Sequence, residues 1–132
     1  MSPTVSPAVS PRVLIVDDEP NIVISLEFLF KREGFAVMVA RDGEEGLAAI
    51  RDQHPDLVVL DVMMPKLDGF AVLEAVRADP GLASTRILML TAKGREAEQK
   101  KGLALGADAY LSKPFSTHEL VAKARSLIGQ EG

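Results

Sequence analysis

The chain has 132 residues, 47% hydrophobic, 26% charged and 5% aromatic, the balance of one soluble globular domain with a single folding unit's worth of core. It contains no cysteine, which excludes a disulfide framework and a thiolate zinc site. A formal charge of −4 argues against a broad electrostatic grip on nucleic acid or an anionic membrane, and no run approaches the ~20 apolar residues of a membrane span.

The first segment carries Ser2-Pro3, Ser6-Pro7 and Ser10-Pro11, a spacing that neither a helix nor a strand ladder tolerates. Residues 1–11 are therefore expected to form a disordered Ser/Pro tail, followed by a domain over 12–128 and a short C-terminal tail at 129–132. The segment has neither a basic start nor an apolar stretch long enough for a secretory signal, so the expected location is the cytoplasm.

Beyond it, short apolar runs alternate with longer amphipathic segments, the mark of βαβ units and a parallel sheet. The runs are Val13 to Val16, Phe35 to Ala40, Leu57 to Leu60, Ile87 to Leu90, and Ala109 to Leu111. They are continuously apolar rather than alternating, as a sheet covered on both faces by helices requires. Between them, Pro20 suits a first helical position and Gly34 a stop; Asp42 with Glu45, and Ser116 with Glu119, have capping-box spacing. Leu120, Val121, Ala124, Leu127 and Ile128 give the last helix one buried face. The segment Arg95 to Leu105 offers Ala97, Leu103, Ala104 and Leu105 to the core and contains Gly102, so a weakly anchored helix is expected there. On the first helix, Phe28 falls with Asn21, Ser25 and Arg32 on the polar side, exposed and available to a partner. His54 and His118 lack a second ligand at useful spacing and read as surface residues.

Polar residues cluster where the apolar runs end. Asp17 and Asp18 follow the first run, Asp61 the third and Thr91 the fourth, and Lys113 lies two residues past the fifth. In a parallel sheet these carboxyl ends share one edge, where ligands bind. Three carboxylates about 5 Å apart repel by roughly 3 kcal/mol per pair at an effective dielectric near 20, so the set calls for a cation. All-oxygen donors without His or Cys select a hard ion, magnesium before calcium. Metal and Lys113 balance the three acids, which leaves the pocket able to accept a phosphoryl group, with the Thr91 hydroxyl as a donor to it. Asp61, standing apart from the adjacent Asp17-Asp18 pair, is the best nucleophile.

These residues resemble the receiver domains of two-component response regulators. The resemblance runs from about Arg12 to Ile128 and rests on Asp17-Asp18, on the stretch Asp61-Val62-Met63-Met64-Pro65-Lys66-Leu67-Asp68-Gly69, on Thr91-Ala92, and on the stretch Gly106 to Phe115. It implies a flavodoxin-like α/β fold: a five-stranded doubly wound parallel sheet of order 2-1-3-4-5 with five helices. It also implies that Asp61 is the phosphoacceptor for a histidine kinase or histidine phosphotransfer protein. Asp17, Asp18, Asp61 and the main-chain carbonyl of Met63 would then hold Mg2+, with Mn2+ as the alternative. Thr91 and Lys113 would hold the phosphoryl oxygens, Tyr110 would swing inward as Thr91 moves, and the bond before Pro114 would be cis. Without the family, Tyr110 reads as a core aromatic at the sheet edge. Met63 and Lys93 occupy the two positions that tune phosphoryl lifetime in this family, and the apolar Met63 implies slow self-dephosphorylation.

The resulting expectation is a phosphorylatable switch, not an enzyme beyond its own phosphoryl transfer and dephosphorylation. Its output face lies around Arg95 to Leu111 and the last helix, its output partner is open, and it is a monomer or a phosphorylation-dependent dimer without direct contact to nucleic acid or membrane. An aspartyl-nucleophile phosphatase or mutase would share the acids, metal, Thr and Lys. Those enzymes by resemblance carry Asp-x-Asp after the first strand and need a cap domain that this length does not accommodate. A receiver-like scaffold that is never phosphorylated fits the intact acid set poorly.

Overall fold

The structure is a computed structural model and describes residues 10–92 and 94–129. The five apolar runs form strands β1 (Arg12–Val16), β2 (Ala36–Ala40), β3 (Leu57–Asp61), β4 (Arg86–Ala92) and β5 (Ala109–Lys113). The helices are α1 (Pro20–Arg32), α2 (Gly43–Gln53), α3 (Gly69–Arg77), α4 (Glu96–Ala104) and α5 (Thr117–Leu127), with a 3-10 turn at Pro80–Leu82. All strand pairings are parallel and the sheet order is β2-β1-β3-β4-β5, as the resemblance implies.

Successive strand residues point to opposite faces, so the continuous apolar runs feed two cores. Val13, Ile15, Leu57, Val59, Leu88 and Leu90 pack with α1 and α5 on one face. Leu14, Val16, Val58, Leu60, Ile87 and Met89 pack with Ile50 of α2 and with Val72, Leu73 and Val76 of α3 on the other. Parallel pairing then delivers every strand's carboxyl end to a single edge.

The helix starts and caps fall where expected, but neither capping box closes, for the Glu119 carboxylate accepts no bond from the Ser116 amide. Pro20 opens α1, and Gly34 turns the chain out of it at φ +93°. The Ser116 hydroxyl accepts from the Glu119 amide at 3.0 Å, and Asp42 Oδ1 accepts from the Glu45 amide at 2.8 Å. The Glu45 carboxylate, however, accepts from the amide of Arg41 at 2.7 Å rather than from Asp42, one residue earlier than a capping box has it.

Three expectations need correction. β4 continues through Thr91 and Ala92, and β5 through Lys113, because the ladder between them extends to Thr91 opposite Ser112 and Ala92 opposite Lys113. Tyr110 is no core residue, being 37% exposed. In α4, Ala97, Leu103 and Ala104 face solvent; Gly102 is buried and Glu98 and Gln99 are half-buried, so the helix turns a polar face to the sheet. Its few apolar residues are too scattered to outcompete the tie that Gln99 makes by donating to the Ser112 hydroxyl at 2.8 Å.

Candidate functional site

Asp17 directly follows β1, Asp61 ends β3 and Lys113 ends β5, so three strands of the one sheet edge supply the site. Ligand oxygens of Asp17, Asp18 and Asp61 all lie within 4.8 Å of one another. Asp17 and Asp61 are buried whereas Asp18 is exposed, which gives the cluster a floor and an open rim. Lys113 Nζ donates to Asp61 Oδ1 at 3.2 Å and lies 3.6 Å from Asp17 Oδ2. The Lys113-Pro114 bond is cis.

Local chemistry fixes Asp17 by an Asx-type turn: its Oδ1 accepts from the Glu19 amide at 3.0 Å, just ahead of the proline that starts α1. This amide is a part of the site that side-chain types alone do not reveal; an Asp three residues before the proline that starts a helix is the signal that would find it. Asp17 Oδ2 and the Thr91 hydroxyl are buried without a hydrogen-bond partner. Buried polar atoms are seldom left in that state, so both point to a ligand the site is built to take.

Burial is the main force on the acids. It pushes the Asp61 carboxyl up to about 6, the neighbouring Asp17 charge adds to the rise, and Lys113 opposes it. Burial raises Asp17 as well, against the Glu19 amide and Lys113. For Lys113, burial works to lower the pKa, but Asp61 and Asp17 outweigh it and the ammonium is held above its ordinary value. Among the described residues, one ammonium thus faces three carboxylates and does not neutralise them. The donor set is all oxygen and dense in charge, and it fits a hard divalent ion.

Thr91 sits in β4, one register step past Leu90, which lies opposite Asp61. Met63 follows β3 in the loop to α3 with its side chain 68% exposed. Lys93 lies outside the described residues. His54 and His118 are exposed, and His54 caps the end of α2. Phe28 is 67% exposed, as the helical wheel predicts, and Ile24 one turn earlier is 63% exposed. The wheel's attention to a single aromatic misses this Ile24–Phe28 apolar pair on α1.

The response regulator receiver domain family matches residues 13–125. The chain belongs to that family. Among relatives of this receiver domain, the transcriptional regulatory protein CpxR of Klebsiella pneumoniae is 45% identical over 117 residues, covering 89% of this chain and 49% of CpxR. The chain spans about half the length of such curated relatives. A Chloroflexus aurantiacus protein described as a response regulator superposes with a TM-score of 0.89 at 35% identity, covering 92% of this chain and 100% of that one. The receiver domain of a sensor histidine kinase from Pseudomonas aeruginosa, solved with a magnesium ion coordinated in its active site cleft, gives 0.85 at 27% identity, covering 92% of this chain and 100% of that one. No helix among the described residues is long and apolar enough to cross a membrane.

Proposed function

We propose that this receiver domain accepts a phosphoryl group on Asp61 from the phosphohistidine of a histidine kinase or histidine phosphotransfer protein. An Asp61 carboxylate oxygen forms the new P–O bond as the P–N bond to the donor histidine breaks, and the departing imidazole nitrogen takes up a proton. Asp17, Asp18, Asp61 and the Met63 main-chain carbonyl would hold Mg2+, or Mn2+ in its place. When bound, that ion supplies positive charge to the phosphoryl oxygens. Lys113, already 3.2 Å from Asp61, offers its ammonium to the same group, and the unpartnered Thr91 hydroxyl offers a hydrogen bond. The observation that carries this reading is the convergence of three carboxylates within 4.8 Å beside the Lys113 ammonium.

Phosphorylation replaces one negative charge on Asp61 by about two. Contacts of Thr91 and Lys113 with the added group would bias two states, with Tyr110 moving inward as Thr91 is drawn to the site. The face formed by α4, β5 and α5 then changes for an output partner. The apolar pair Ile24 and Phe28, on the helix that starts beside the acids, suits the incoming phosphodonor protein.

The test is incubation with magnesium and acetyl phosphate, then intact mass and site mapping. One phosphoryl group on Asp61 is expected, lost in Asp61→Asn and lost when the metal is chelated. Labelling at another residue, or labelling indifferent to chelation, would overturn the reading.

A further inference from the structure

We propose that the start of α2 braces the loop between β3 and α3, and that Gly43 is the positioning residue that sets the Met63 carbonyl relative to the three carboxylates. A Cβ built on Gly43 would lie 1.7 Å from the Leu67 carbonyl oxygen and 2.6 Å from its carbon. The first residue of α2 therefore rests against the peptide of the loop with no room for a methyl group. Gly43 is not among the positive-φ residues, so space rather than backbone conformation demands glycine here.

Two further contacts join the same elements. Asp42, which caps α2 through Oδ1, places Oδ2 3.7 Å from the Lys66 ammonium. The Leu67 side chain packs against the apolar cluster that α2 and α3 share.

The loop needs such support. The Leu67 amide donates to the Pro65 carbonyl at 2.8 Å with Lys66 at φ +70°, a tight three-residue turn in a region that side chains other than glycine rarely occupy. At its base the loop is closed on itself. The Gly69 amide donates to the Val62 carbonyl at 2.9 Å, and a Cβ on Gly69 would come within 2.4 Å of the Asp61 carbonyl. A strained turn anchored at one end transmits any displacement of its far side to the residues between, and Met63 is among them. Gly43 belongs to no acid, metal or phosphoryl contact; it acts through Leu67.

The inference rests on the proposed metal site, and the measurement is the magnesium dissociation constant of the whole chain by calorimetry, at a temperature where each variant is shown to be folded. Gly43→Ala, pushing the loop away, is expected to weaken binding about tenfold or more, the range seen when groups that orient metal ligands are lost. Leu67→Ala, loosening the loop side of the same contact, is expected to weaken it about threefold, and the double variant to be no worse than Gly43→Ala, since both remove one brace. Ile50→Val, which loosens α2 from the core away from the loop, should leave binding within about twofold of wild type. Wild-type binding in both folded loop variants, or equal weakening in Ile50→Val, overturns the brace. If Gly43→Ala does not fold, Leu67→Ala against Ile50→Val decides on the same thresholds. A wild-type chain that binds no magnesium would instead bring down the proposed function itself.

Discussion

At Asp61, burial and like charge work against ionisation, and the energetic consequence can be signed. The carboxyl is raised to about 6 in the folded chain, first by burial and then by Asp17, against an ordinary value of 3.8. The folded state therefore binds a proton where the unfolded state does not; the stability tied to neutral Asp61 is fully present below about pH 4 and lost as pH rises through about 6. Each pH unit in that window is worth about 1.4 kcal/mol, so at pH 7.5 ionised Asp61 costs the metal-free chain up to about 3 kcal/mol. Asp61→Asn keeps the shape without the charge. Urea unfolding in a chelator should show the variant about 1–3 kcal/mol more stable at pH 7.5 and without advantage at pH 4; equal stability at both values would refute the charge argument. Met63 presents the opposite case, an exposed side chain whose replacement disturbs little packing. A thioether cannot orient an attacking water well, whereas an amide can, and one hydrogen bond made in the transition state is worth about 1–1.5 kcal/mol. Met63→Asn is accordingly expected to shorten the phosphoryl lifetime about tenfold, followed by loss of the labelled mass after removal of acetyl phosphate. An unchanged lifetime would dismiss the role of this side chain.

Among the elements, α4 is held least by apolar contact. Only Gly102 of its residues is buried, close under Met89, and its side-chain ties are polar: Gln99 to Ser112 at 2.8 Å, and the Lys101 ammonium 4.5 Å over the Phe70 ring. Glu98 keeps one carboxylate oxygen buried and without a partner, a cost the helix carries in this arrangement. Gln99→Ala removes the tie to the sheet, worth about 1 kcal/mol, so amide exchange across α4 should quicken about fivefold while β1 and β3 stay protected. Hydrogen exchange with mass spectrometry reads this directly, and unaltered α4 exchange would show that the bond does not hold the helix. The same helix marks where sequence stops being informative. Weak anchoring was legible because Ala97, Leu103, Ala104 and Leu105 supply little apolar surface in any orientation. Which side turns inward was not, because that is decided by Ser112 on another strand. Strand ends behave alike: Asp61 and Lys113 are legible as the polar breaks after apolar runs, but the extension of β4 through Thr91 depends on its pairing with Ser112, a partner far along the chain. The Gly43 contact with Leu67 is likewise invisible in either segment alone.

For the whole molecule, two cores on opposite faces of one sheet hold β3, and β1 from Val13 onward, buried, and this rigidity is what lets residues as distant in sequence as Asp17, Asp61 and Lys113 meet within 4 Å. The fold thus maintains a concentration of negative charge that Lys113 does not cancel, and the repulsion is drawn from the stability of the entire domain. A divalent ion that binds the folded chain and not the unfolded one must return that free energy: about 2.7 kcal/mol at an ion concentration one hundred times the dissociation constant. For a domain of this size each kcal/mol moves the melting temperature by about 3–6 °C, so saturating magnesium at pH 7.5 should raise it by about 8–15 °C. Protons compete with the ion for Asp61, whose carboxyl is raised to about 6, so the increment should shrink below that pH and be largely lost near pH 4. Thermal unfolding with magnesium or chelator across this range is the measurement. A melting temperature indifferent to magnesium at pH 7.5, or an increment equally large at pH 4, would separate the acidic cluster from metal binding and leave its repulsion without a purpose in the fold.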